Sequence, residues 1–91
     1  MEKRITVLAR RDSSEAMRVA AGLTIFGHQV DLVLLSTDID LQRYQDEFAE
    51  LLELADIEPV ALQTIPQIDA QIISEERLSN SIIDADTVLS L

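Results

Sequence analysis

The sequence predicts a three-layer α/β/α fold with a mostly parallel five-stranded sheet. Two continuous apolar runs, Ile5-Thr6-Val7-Leu8-Ala9 and Val30-Asp31-Leu32-Val33-Leu34-Leu35, flank a helical pattern. Parallel strands need a crossover and are buried on both faces, so this grouping is the mark of a βαβ unit. The remaining chain repeats the alternation as βαβ, then β, a short helix and β, the order of an α/β layer protein.

The first strand is expected near Arg4–Ala9, followed by the polar corner Arg10-Arg11-Asp12-Ser13-Ser14. A helix runs from about Glu15 to Phe26 and ends at Gly27, which suits a left-handed C-cap. The second strand is expected over Gln29–Leu35. Ser36-Thr37-Asp38-Ile39-Asp40 is a polar loop with two candidate N-caps, Asp38 and Asp40. The second helix spans about Leu41 to Ala55, because Leu41, Tyr44, Phe48, Leu51 and Ala55 recur at three- and four-residue spacing. Asp46, Glu47, Glu50 and Glu53 fall mainly on its other sides. Pro59 stops the helix, and Val60–Ile65 reads as the third strand. A loop through Pro66 leads to a short fourth strand at Ala70–Ile73. Ser74-Glu75-Glu76 resembles a helix start, with acids in the first turn, although Arg77 denies it a capping box. That helix ends near Ile83, and Thr87–Leu91 is the fifth strand.

Composition narrows the function classes. At 91 residues a single domain, residues 1–91, is expected. Hydrophobic content of 47% with two Gly and two Pro argues for a packed chain over a disordered one. No apolar run approaches the ~20 residues that span a bilayer. Met1-Glu2-Lys3-Arg4 leads straight into a strand without a signal-peptide pattern, so a soluble cytoplasmic protein is expected. The formal charge of −10 disfavours nucleic acid and anionic membranes, which demand clustered Lys and Arg. Eight acidic residues and one basic residue, Arg43, lie between Asp38 and Glu58. There is no cysteine, which excludes disulfides, thiolate metal sites and thiol nucleophiles.

Four features bear on a site. The corner Arg10, Arg11, Asp12, Ser13 and Ser14 lies where open α/β sheets bind ligands and where a helix N-terminus attracts anions. The structural alternative is Asp12 or Ser13 capping the helix beside solvated arginines. No glycine-rich phosphate loop is present, which disfavours a nucleotide. His28 is the only histidine; placed at the start of strand two, away from the usual site edge, it reads as structural. Asp38 and Asp40 form an Asp-x-Asp that lacks a third fixed oxygen ligand, so caps or solvated charge are expected and no metal. A phospho-receiver needs acids after strand one and an aspartate ending strand three, whereas strand one is followed by Arg10-Arg11-Asp12 and strand three ends in Thr64-Ile65-Pro66, which disfavours it. Finally, helix one carries Met17, Val19, Leu23, Ile25 and Phe26 around most of its circumference. A helix apolar all round is buried all round. Those five residues are therefore candidate contacts with another subunit, unless C-terminal segments of the same chain cover them.

The runs Val7-Leu8-Ala9-Arg10-Arg11-Asp12-Ser13, Ala20-Ala21-Gly22-Leu23 and Gly27-His28-Gln29-Val30-Asp31-Leu32-Val33-Leu34-Leu35 resemble the opening half of the DsrE/DsrF/DsrH and TusB/TusC/TusD sulfur-relay family. Ile83-Asp84-Ala85-Asp86-Thr87-Val88-Leu89 is similar to that family's last helix-to-strand turn. The middle, Leu41 to Gln71, matches in pattern only. The resemblance implies a three-layer α/β/α fold with a parallel five-stranded sheet, and oligomers, often mixed, that relay sulfur on a cysteine persulfide. It also implies a cysteine in the region after the third strand, where Thr64-Ile65-Pro66-Gln67-Ile68-Asp69-Ala70 has none. Met1 and Met17 are the only sulfur residues, and a thioether forms no persulfide.

Two readings follow. In the first, the chain is a cysteine-free, non-catalytic structural or partner-binding subunit of such an oligomer, without cofactor, pairing with itself or with thiol-bearing relatives. In the second, it is a small-ligand protein or enzyme that takes an anion at the Arg10–Ser14 corner.

Overall fold

A computed structural model of the chain describes residues 2–91. Five strands, β1 (Arg4–Ala9), β2 (Gln29–Leu34), β3 (Val60–Ala61), β4 (Gln71–Ile72) and β5 (Thr87–Ser90), form one sheet in the order β4-β3-β2-β1-β5. Every pairing is parallel. Helix α1 (Ser13–Ile25) joins β1 to β2. Between β2 and β3 run α2 (Leu41–Arg43), a π-helical segment (Tyr44–Phe48) and α3 (Ala49–Leu54). Helix α4 (Glu75–Asp84) precedes β5.

The layers follow from crossover handedness. From β1 to β2 to β3 the chain moves one way across the sheet, so right-handed crossovers put α1 and the α2–α3 segment on the same face. From β4 it returns past β1, so α4 lies on the opposite face. Register confirms the division. Val7 pairs with Leu32 and Ala9 with Leu34, and these side chains meet Ala16, Met17, Ala20, Phe48 and Leu52 in one core. Thr6 pairs with Asp31 on the other face, and the Thr6 hydroxyl meets Ser81 of α4.

Local chemistry accounts for the element ends. Asp12 caps α1 by accepting from the Glu15 N–H at 3.0 Å, Asp40 caps α2 by accepting from Arg43 at 3.1 Å, and Ser74 caps α4 by accepting from Arg77 at 3.1 Å. Gly27 takes φ 91° after α1, as a C-cap glycine should. Asp56, at φ 58°, turns the chain after α3 in a conformation that Asp tolerates better than most residues.

Four expectations are corrected. The third strand is two residues, not Val60–Ile65, because Ile65 and Ile68 turn inward as anchors of a loop through Pro66. The fourth is two residues, Gln71–Ile72, and the fifth stops at Ser90. The second helix is interrupted by its π segment, whose wider turn rotates the following face. Leu52 and Ala55 are buried after Phe48, and Leu51 is left half-buried.

Candidate functional site

The strand order reverses beside β1, so the carboxyl ends of β1 and β5 flank the topological switch point where open α/β sheets place ligands. Arg10, Arg11, Asp12, Ser13 and Ser14 stand at that position. The protein's own groups engage its backbone. The Arg10 and Arg11 N–H groups both donate to the Leu91 carbonyl at 2.8 Å, and the Leu91 N–H donates to Leu8 at 2.9 Å. The positive end of α1 is answered by the Asp12 carboxylate, which holds the place of an incoming anion. Arg10 and Arg11 are exposed, Ser14 is half-buried, and Ser13 is buried with its hydroxyl unpartnered.

A hollow of about 160 Å³ beside the corner is lined by Asp12, Ser14, Glu15, Arg18 and Arg43. Its arginines are engaged. Arg18 pairs with Glu15, and Arg43 pairs with Glu47 at 2.8 Å while lying 5.2 Å over the Phe48 ring. The hydrogen bond and charge of Glu47 raise the Arg43 pKa further above its ordinary value. Both arginines of this hollow are paired, and it also carries the carboxylates of Asp12 and Glu15. The corner is thus a capped helix start closed over by the residue that follows β5.

The other sequence candidates are structural in their contacts. His28 sits before β2, and its Nδ1 accepts from the Lys3 N–H at 3.1 Å, tying the chain start to the sheet edge. Asp40 is spent as a cap, while the Asp38 N–H donates to the Ser36 hydroxyl at 3.1 Å. Among the described residues, no three His, Asp or Glu side chains converge as a metal site. No helix among the described residues is long and apolar enough to cross a membrane.

Sequence reasoning missed a polar cleft between α4 and the sheet. About 200 Å³ in volume, it is bounded by Arg4, Asp31, Arg77, Asn80, Ser81 and Asp84 over Val33, Val60 and Ile73. The Ser81 hydroxyl donates to Asp31 Oδ2 at 3.0 Å, Arg4 Nη2 reaches the same oxygen at 3.4 Å, and the Thr6 hydroxyl donates to the Ser81 carbonyl at 3.2 Å. No residue of α4 is buried, so these polar contacts are a main part of its docking. One signal was present in the sequence: Thr6 and Asp31 each interrupt an otherwise apolar strand.

The five apolar residues proposed as subunit contacts divide. Met17 is 0% exposed in this chain's own core, because it faces the sheet, and so it has no surface left for a partner. Val19 and Leu23 are half-buried. Ile25 and Phe26, by contrast, are 74% and 81% exposed where α1 ends. Leu54 at 78% and Ile83 at 77% are exposed apolar residues that the sequence reading did not single out. The helix is not buried all round. Its outer side ends in two bare apolar side chains.

No protein-family model matches this sequence, and no curated protein is detectably similar to it.

Proposed function

We propose that the chain is a non-catalytic, cysteine-free subunit that binds partner proteins in a DsrE/F-like oligomer of sulfur-relay type, pairing with itself or with related thiol-bearing subunits in the cytoplasm. The observation that carries this reading is the exposure of Ile25, Phe26 and Leu54 on the α1–α3 layer, in a chain without a thiol. Large apolar side chains left in water are the usual mark of an interaction surface when they gather on it. The parallel five-stranded sheet supports the reading, since it is the architecture the resemblance implied. So does the corner at the switch point, where Leu91 takes the Arg10 and Arg11 N–H groups and Asp12 caps the helix end.

In a persulfide relay a thiolate attacks a sulfane sulfur and carries it onward. This chain has no group for that step, so the sulfur would pass between partner thiols that this subunit positions. The test mixes the purified chain with a thiol-bearing DsrE/F-like subunit from the same cells, with and without a persulfide donor. Native mass spectrometry should find a stoichiometric complex in which added sulfur resides on the partner only. Failure to bind any such subunit, or a stable sulfur adduct on this chain, would refute the reading.

A further inference from the structure

We infer that the groove between the end of α3 and the loop before β4 docks a basic segment of a partner protein, with Lys or Arg stems lying on its apolar floor. The inference stands on residues apart from the exposed apolar side chains of the α1–α3 layer, and it requires no thiol in the partner.

The groove has a volume of about 420 Å³, a size at which clefts hold ligands. Its floor is apolar: Leu52, Ile57 and Pro59 are buried, and Tyr44 and Ala49 are half-buried in its lining. Its rim carries the exposed carboxylates of Glu53, Asp56, Glu58 and Asp69, and no Lys, Arg or His lines it. Hydrogen bonds hold the walls. The Ile57 N–H donates to the Leu52 carbonyl at 2.9 Å, and the Gln71 N–H donates to the Pro59 carbonyl at 3.2 Å. Gln45 Nε2 donates to Gln67 Oε1 at 3.3 Å, which ties the π segment to the loop before β4. A groove fixed in this way is formed before a partner arrives, and that lowers the ordering cost of binding. Tyr44 opens the π segment, a kind of turn that occurs mostly at functional sites. Within that segment Phe48 enters the core while Tyr44 lines the groove.

Charge complementarity names the occupant. The ion pairs among the described residues are Arg4–Asp31, Arg18–Glu15 and Arg43–Glu47, so they neutralise none of the four rim carboxylates. Burial, and after it the Asp69 charge, raises the Tyr44 phenol pKa, so this charge is felt at the aromatic wall. Like charges around an apolar floor repel one another, and a cation relieves that repulsion. Lys and Arg match both parts, with an aliphatic stem for the floor and a charge for the rim. A cation over the Tyr44 ring adds a further attraction. Among the described residues the carboxylates do not converge on one point, so several cations spaced along a chain suit them better than a single ion. A second copy of charge −10 brings the wrong sign.

The probe is acetylated, amidated pentalysine, titrated into isotope-labelled protein and followed by heteronuclear NMR at about 0.1 M salt. Saturable shift changes should cluster at Leu52, Asp56, Asp69 and Gln71, with α4 and β5 unmoved. This titration uses the wild-type chain and needs no variant to fold. By fluorescence anisotropy, the double variant Glu58→Gln, Asp69→Asn should bind the labelled peptide roughly five- to tenfold more weakly, the loss of two exposed ion pairs. Glu75→Gln with Glu76→Gln removes the same charge from α4 and should weaken binding less than about twofold. Absence of saturable shifts, shifts spread over every acidic surface, or equal losses in the two double variants would overturn the inference. Spermidine binding as tightly as the peptide would overturn it too, making the groove a small-amine site. Shifts at the same residues on concentrating the chain alone would give the groove to a second copy, and also overturn it. The mixing experiment with a thiol-bearing subunit decides the preceding reading separately from all of these outcomes.

Discussion

Met17→Ala tests the division of α1 into a core side and an outer side. Met17 is wholly buried among Ala16, Ala20, Ala21, Leu32, Leu34 and Phe48, with strands on one side and the α2–α3 segment near the other. Truncation of such a residue removes three heavy atoms that the surroundings refill only in part, at a cost of about 2–5 kcal/mol. Taking ~3 kcal/mol, and ~4–8 °C of melting temperature per kcal/mol for a domain near this size, the variant should melt roughly 12–24 °C lower. That is a large share of the about 5–14 kcal/mol expected for 91 residues. Phe26→Ala, at a position 81% exposed, removes a larger side chain but should stay within ~0.5 kcal/mol. Thermal unfolding followed by far-ultraviolet circular dichroism at low protein concentration compares the two without a contribution from self-association. If Phe26→Ala loses more than Met17→Ala, the assignment of faces on α1 is wrong.

Asp12→Ala should destabilise by about 1 kcal/mol through loss of the α1 cap, and added phosphate should not raise the melting temperature of the wild type, whose helix end the Asp12 carboxylate already occupies. Ser81→Ala removes the hydroxyl that donates to Asp31, so hydrogen exchange should quicken along α4 while β1 and α1 keep their protection. Burial, with a smaller effect of Asp69, raises the Tyr44 phenol pKa above its ordinary value. The unfolded chain then releases that proton first, so stability is full below about pH 10 and falls as pH rises toward the folded pKa. Thermal melts across that alkaline range should show a shallower decline for Tyr44→Phe than for wild type.

The β1-α1-β2 unit was legible because its information is local. A strand buried on both faces must be apolar throughout, and Ile5–Ala9 and Val30–Leu35 are nearly so. The helix start at Ser74 and the turn at Gly27 were legible for the same reason, since each bonds or bends within a few residues of itself, whereas the structure chose Asp12 over Ser13 and Asp40 over Asp38 as caps. The corner was placed correctly too, because strand and helix order alone puts Arg10–Ser14 at a carboxyl edge. Its closure was not, for Leu91 reaches Arg10 and Arg11 only after the sheet has brought the two chain regions together.

Tertiary structure decided the rest. Hydrophobicity says that Met17 and Phe26 prefer to leave water, but only the packed sheet shows that one finds cover in this chain and the other does not. The length of β3 depends on how much of β2 remains to pair with, a property of the partner strand that Val60–Ile65 does not contain. Thr6 and Ser81 are 75 residues apart, and with Asp31 they become a docking contact only where α4 crosses the sheet. Periodicity sets which residues share a side of an element. The surface that meets that side is set by the whole chain's search for burial, which no window of sequence encodes.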